Sequence, residues 1–195
     1  MSLLYIVIGV AVLVAFYGIA LYNKFVTLTQ RASEAWADID VQLKRRYDLI
    51  PNLIETVKGY AAHEKSTFEE VTAARTKATQ VHIDPANVTP EQIAAMAGAE
   101  QALGQSLGKL LAIAENYPDL KANENFVELQ RELTDTENKI QAARRFYNTN
   151  VRDLGIALQS FPSNIVGNMF HFTAREYFEL GDNESAAREP VKVSF

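Results

Sequence analysis

The pattern of apolar and polar positions divides the chain into one continuous apolar run followed by four periodic stripes. Residues 3–22 read LLYIVIGVAVLVAFYGIALY, without a single charged side chain. At about 1.5 Å per residue a helix of that length spans roughly 30 Å, the thickness of a bilayer's hydrocarbon core. From Phe25 onward apolar residues step by three and four, as on a helix with one buried face. Phe25, Leu28, Ala32, Ala35, Trp36, Ile39, Leu43 and Tyr47 form the first stripe, and Ile50, Leu53, Ile54, Val57, Ala61, Phe68, Val71 and Ala78 the second. The third runs through Ile93, Met96, Leu103, Leu107, Leu110, Leu111 and Ala114. The fourth runs through Phe126, Leu129, Leu133, Ile140, Ala143, Tyr147, Val151, Leu154 and Leu158.

Punctuation between the stripes sets the expected turns. Pro51, after Asp48-Leu49-Ile50, predicts a tight turn near Tyr47–Leu49; a continuous helix kinked by the proline is the alternative. Residues 81–89 form a break. Thr89-Pro90-Glu91-Gln92 then starts a helix, with Thr at the N-cap, Pro at the first position and Gln at the third. The third stripe stops at Asn116-Tyr117-Pro118. The fourth, roughly 50 Å long by helical rise, breaks at Phe161-Pro162.

These elements predict an all-α protein: an N-terminal transmembrane helix continuing into an antiparallel up-and-down four-helix bundle. The expected organisation is an anchor over 1–23, the bundle over 24–160, an aromatic docking segment over 161–180 and a polar tail over 181–195. No repeat of fixed period suggests a solenoid. Tyr22–Val26 holds no linker, Pro or Gly, so the span and the first bundle helix read as one rod of about 45 residues, roughly 65–70 Å.

The span runs from Leu3 to Tyr22, with Tyr5, Tyr17 and Tyr22 near its ends, where amphipathic rings favour the interface. A buried core helix is one alternative. A cleaved signal peptide is another, but it would carry a basic leader, a shorter apolar stretch and a small-x-small cleavage site. Only Met1-Ser2 precede the run, and no such site follows. Lys24, Arg31, Lys44, Arg45 and Arg46 follow it, so the positive-inside rule places the domain in the cytoplasm and the short N-terminus outside.

Composition narrows the function. The net charge of −5 lacks the basic footprint of nucleic-acid binding. The absence of cysteine excludes disulfides and thiolate metal sites. His63-Glu64 opens like a zinc-protease motif, but Thr67 stands where the second histidine belongs. The residues three before His63, His82 and His171 are Tyr60, Thr79 and Asn168, so the Glu-x-x-His pairs of helical di-metal sites are missing. No nucleophile elbow, P-loop or dinucleotide fingerprint is present. The expectation is a protein without catalytic residues, cofactor or metal.

Four features remain for function. The run Ala94-Ala95-Met96-Ala97-Gly98-Ala99, followed by Gly104 and Gly108, costs about 1 kcal/mol per interior glycine. Ala97, Gly98, Gly104 and Gly108 are therefore a candidate helix contact, either packed inside the bundle or between subunits. Glu64, Glu137 and Arg144 interrupt apolar stripes and form a candidate polar layer, with Arg45, Arg75 or Arg144 to pair a buried carboxylate. A catalytic carboxylate pair is the sharper alternative. Phe161, Phe170, Phe172, Tyr177 and Phe178 are candidate docking residues, for the bundle, a neighbouring subunit or the membrane surface. The alternating end Val191–Phe195 either frays or adds to a sheet edge in a partner.

Several blocks resemble the LemA family. They are Tyr22-Asn23-Lys24, Val41 to Leu53, Val57-Lys58-Gly59-Tyr60-Ala61, Tyr117-Pro118-Asp119-Leu120-Lys121, Glu137-Asn138-Lys139-Ile140, Ala143 to Asn148, Phe161-Pro162-Ser163-Asn164 and Val191-Lys192-Val193-Ser194-Phe195. The resemblance implies an N-terminal anchor, a cytoplasmic four-helix domain at the inner (plasma) membrane, a role in envelope organisation or stress response, and no established catalysis. Together the residues and the resemblance predict a membrane-anchored scaffold or adaptor. Its expected partners are the lipid bilayer, further copies of itself in a homo-oligomer, and alternatively another membrane protein. A membrane-tethered hydrolase or metalloenzyme using buried carboxylates is the competing reading, and a domain sensing a small ligand between helices is a third.

Overall fold

The computed structural model describes residues 2–85 and 88–178, and every regular element among them is a helix. The first, α1 (Ser2–Lys58), is unbroken for 57 residues, about 85 Å by helical rise. Its apolar run stands bare, with Leu3 74%, Tyr5 67% and Tyr17 54% exposed. Among the described residues nothing buries residues 3–17, which is the state of a helix whose solvent is lipid. The protein is membrane-anchored, and the anchor enters the domain without a hinge at Tyr22–Val26.

The turn expected near Tyr47–Leu49 is not there. The helix runs through Pro51 and ends at Lys58; the chain reverses over residues 59–64 instead. A mid-helix proline costs about 3 kcal/mol, partly because the carbonyl four residues back loses its N–H donor. Here that carbonyl belongs to Tyr47, and it accepts a hydrogen bond from Arg75 Nε at 2.7 Å. The Pro51 ring faces solvent, outside the core. An arginine from the neighbouring helix thus fills the gap that proline opens. The second stripe is consequently shared: Ile50–Val57 belong to α1, and Phe68–Ala78 to α2 (Lys65–Gln80).

The other helix starts follow local chemistry. α3 (Pro90–Ile113) opens on a complete capping box, Thr89 with Gln92. A 3-10 turn (Ala114–Asn116) and a single turn, α4 (Pro118–Lys121), lead to α5 (Glu124–Gln159). The Asn123 side chain caps α5 by accepting from Phe126 N–H at 3.0 Å. Beyond Gln159 the segment read as a break holds a short helix that sequence analysis did not foresee, α6 (Ser163–Met169).

α1 and α5 run antiparallel. Arg45 meets Asp135, Trp36 meets Tyr147, and Phe25 clusters with Leu154 and Ala157, so numbers rise on one helix as they fall on the other. α2 lies along α3, with Lys109 Nζ 2.6 Å from Glu70. The main core draws on all four, including Ile50 and Leu53, Val71, Leu103 and Leu110, and Phe126 and Tyr147. Each fully buried large apolar side chain contributes about 1.5–3 kcal/mol. A smaller cluster of Phe25, Leu28, Leu154 and Ala157, joined by Val166 and Phe172, closes the end nearest the span.

α6 ends in a Schellman motif. His171 takes a left-handed conformation (φ 57°), its N–H reaches the Asn168 carbonyl at 3.3 Å, and Phe172 N–H reaches the Gly167 carbonyl at 3.0 Å. The chain then doubles back as an extended strap, residues 172–178. Phe172 stacks on Phe25 with centroids 5.0 Å apart, and Arg175 donates to Ser33 Oγ at 2.9 Å. Tyr147 donates its hydroxyl to the Glu176 carbonyl at 2.9 Å. Asn148 holds both backbone groups of Phe178, whose ring is buried against Trp36. The polar tail 181–195, with its alternating end Val191–Phe195, lies outside the described residues.

Candidate assembly face and polar layer

Among the described residues the domain is open between α3 and α5. A cavity of about 860 Å³ runs along the two helices, walled by Gly104, Leu107, Gly108 and Leu111 of α3 and by Val127, Leu133, Thr134 and Ile140 of α5. Leu43 and Arg46 of α1 form its floor, and Phe178 and Arg144 lie at one end. The small residues of α3 explain the opening. A Cβ built on Gly98, Gly104 or Gly108 would meet nothing within 4 Å. Among the described residues no neighbouring backbone packs against these glycines. Ala97, by contrast, is buried in the core. Gly98 fronts a second hollow of about 350 Å³ beside Tyr177 and Glu176 of the strap.

The floor carries the polar layer. Arg46 is only 8% exposed. Its Nη1 donates to Glu137 Oε2 at 2.7 Å, and its Nη2 pairs with Glu100 of α3. The Tyr47 hydroxyl also donates to Glu100. Burial raises the Tyr47 phenol to about 12, with Asp40 adding and Arg46 opposing, so it remains a donor at neutral pH. One guanidinium and one phenol thus tie α1 to α3 and α5. Such a buried ionic group adds little net stability, but losing one partner strands the others. The arrangement fixes register, and leaves Arg46 Nε buried without a hydrogen-bond partner among the described residues.

Of the three residues expected in this layer, Glu137 and Arg144 line the cavity, and Arg144 lies over the Phe178 ring, 4.9 Å from its centroid. Glu64 does not join them. It stands at the N-cap of α2, half-buried, with no side-chain capping bond. Glu137 takes Arg46 as its hydrogen-bonded partner, while Arg45 reaches Asp135 at 3.9 Å and Arg75 the Tyr47 carbonyl. Arg46, Tyr47 and Glu100 were missed, although spacing marks Glu100: it fills the seven-residue gap between Met96 and Leu103 in the third stripe. Among the described residues no group of three or more acidic or histidine side chains could hold a metal ion.

The docking residues divide. Phe172 and Phe178 dock, on Phe25 and Trp36. Tyr177 is 45% exposed beside α3, Phe161 is 81% exposed, and Phe170 touches Tyr22 while remaining 52% exposed. Leu3, Tyr5, Tyr17 and Tyr22 all lie on α1 with their side chains outside the domain core.

The chain is similar to two magnetosome proteins called MamQ, MamQ 2 of Paramagnetospirillum magneticum and MamQ of Magnetospirillum gryphiswaldense. Each is 27% identical, over 89–90% of this chain and 71% of the relative. It is also 23% identical to Protein LemA of Metamycoplasma hominis, over 72% of this chain and 61% of that protein. The model of the LemA family matches residues 35–195, and the chain belongs to that family.

Proposed function

We propose that this LemA-family chain is a scaffold or adaptor of the bacterial cell envelope that assembles with copies of itself through the open α3–α5 face and has no catalysis of its own. The observation that carries the reading is the bare α3 backbone. Gly98, Gly104 and Gly108 together forgo about 3 kcal/mol of helix propensity, and nothing among the described residues comes near enough to account for it. A face without Cβ atoms lets a helix of another copy approach closely. The architecture that suits this is an antiparallel up-and-down bundle left open on one side. The unbroken α1 holds that side at a fixed height above the bilayer. The basic flank supports a cytoplasmic domain at the inner membrane with the N-terminus outside. Relatives named as magnetosome proteins, rather than by a reaction, support a structural role, and another membrane protein is the alternative occupant of the face.

The cavity volume favours one second reading. About 860 Å³ falls within the roughly 300–1,000 Å³ of small-molecule sites, so an apolar ligand between the helices fits the same space. Native mass spectrometry of the full chain from lipid nanodiscs separates the two. Self-assembly predicts multiples of the 21.7 kDa chain that collapse to one copy in Gly104→Trp. A wild-type monomer carrying a small added mass would establish the ligand reading, and a bare monomer would overturn both.

A further inference from the structure

α6 is amphipathic in the wrong sense for a helix lying on a water-facing domain. Ser163 and Gly167, one turn apart, face inward and are buried. Ile165 and Met169, on the opposite face, are 52% and 65% exposed. Gly167 allows this seating: a Cβ there would lie 3.0 Å from Leu158 Cδ2 and 3.1 Å from Phe25 Cζ. Small residues thus hold α6 down while its large apolar side chains point away. Phe161, just before it, is the most exposed large apolar side chain among the described residues, at 81%.

This patch is continuous with the membrane span. Tyr22 closes the apolar run, and its ring lies 4.8 Å from that of Phe170. Phe25, on which Gly167 rests, is one turn further, about 4.5 Å along the helix axis. The depth of α6 is therefore set within a turn of the point where α1 leaves the hydrocarbon. The sequence agrees independently: no Asp, Glu, Lys or Arg occurs between Asp153 and Arg175. An uncharged corner with outward apolar side chains at that height suits the boundary of headgroups and acyl chains, where interfacial helices bury their apolar face about 5–10 Å deep.

We propose that the α5–α6 corner, through Phe161, Ile165, Met169 and Phe170, inserts into the surface of the same bilayer that α1 crosses, giving the domain a second lipid contact. This rests on α1 spanning the bilayer and goes beyond the scaffold reading, because it fixes which flank of α1 meets lipid. Two attachments stop the domain swivelling about the α1 axis and tilt every copy alike relative to the membrane.

The cysteine-free chain makes the experiment direct. Phe161→Cys, Ile165→Cys and Met169→Cys, each carrying an environment-sensitive fluorophore, are reconstituted as full-length protein in phosphatidylcholine vesicles. The lipids are brominated either near the headgroup or near the chain end. Leu13→Cys, in mid-span, and Val127→Cys, at the far end of α5, are controls. The proposal predicts blue-shifted emission at the three corner positions, quenched most by shallow bromine. Leu13 is quenched most by deep bromine, and Val127 by neither. Corner labels with water-like, unquenched emission while Leu13 is quenched overturn the second contact and leave the anchor standing. An unquenched Leu13 overturns the anchor and the proposal with it.

Discussion

Replacing Gly98, Gly104 and Gly108 together by alanine separates the stability of the domain from its assembly. A Cβ at each position meets nothing within 4 Å among the described residues, so the methyl groups enter open space there and shift no neighbour. Each substitution then gains the helix propensity of alanine over glycine, about 0.8–1 kcal/mol, and the triple variant about 2–3 kcal/mol. For a chain of this size each kcal/mol moves Tm by about 2–4 °C, so the triple variant melts roughly 5–10 °C higher. Far-ultraviolet circular dichroism of the full chain, at detergent ratios leaving one copy per micelle, measures this. The same methyls hold a second backbone away, so in nanodiscs the variant shifts toward single copies. Gly167→Ala is the internal contrast: its Cβ lands 3.0 and 3.1 Å from Leu158 and Phe25, and Tm falls. An unchanged or lowered Tm in the triple variant would refute the proposal that these glycines are left bare for a second copy.

Arg46→Leu strands Glu100 in the interior and lowers stability by about 3–5 kcal/mol in urea denaturation; adding Glu100→Leu restores most of it. Arg75→Leu leaves the Tyr47 carbonyl without its donor and costs about 1–3 kcal/mol. In a Pro51→Ala background, where the alanine N–H reaches that carbonyl, the same change costs little, so the double-mutant cycle shows positive coupling. Burial raises the phenols of Tyr47 and Tyr147 from 10.0 to about 12. Their stabilisation is complete below pH 10, where both states hold the proton, and is lost as pH rises through about 12. Tyrosinate absorbance should therefore show a late class of tyrosines that titrates together with loss of helix.

Much of the architecture was legible because the driving pattern is local. A charge-free run from Leu3 to Tyr22 and stripes stepping by three and four leave few alternatives to helices with one buried face. The Thr89–Gln92 capping box fixed the start of α3 for the same reason. Pro51 misled because its compensation is not local: the donor that replaces its missing N–H comes from Arg75, 24 residues on, and no sequence window contains both consequences. The polar layer was half visible. Glu137 stood out as an acid in an apolar stripe, but Arg46 and Glu100 lie on stripes whose apolar neighbours mask them, and only tertiary packing brings the three side chains together. Glycines in α3 were conspicuous, yet the pattern cannot say whether a bare backbone faces inward or outward; among the described residues the space beside them is open. α6 was hidden because Phe161-Pro162 reads as a stop, and seven residues are too few to show a period.

The central claim is that the α3–α5 face receives a second copy of the chain. The most direct measurement places a photo-crosslinking amino acid at Gln130, which lines the cavity, in cells expressing two differently tagged copies. After illumination of native membranes, the account predicts an adduct of twice the 21.7 kDa chain mass, captured through either tag and containing both. Adducts holding one tag with a different protein, or no protein adduct at all, would contradict it.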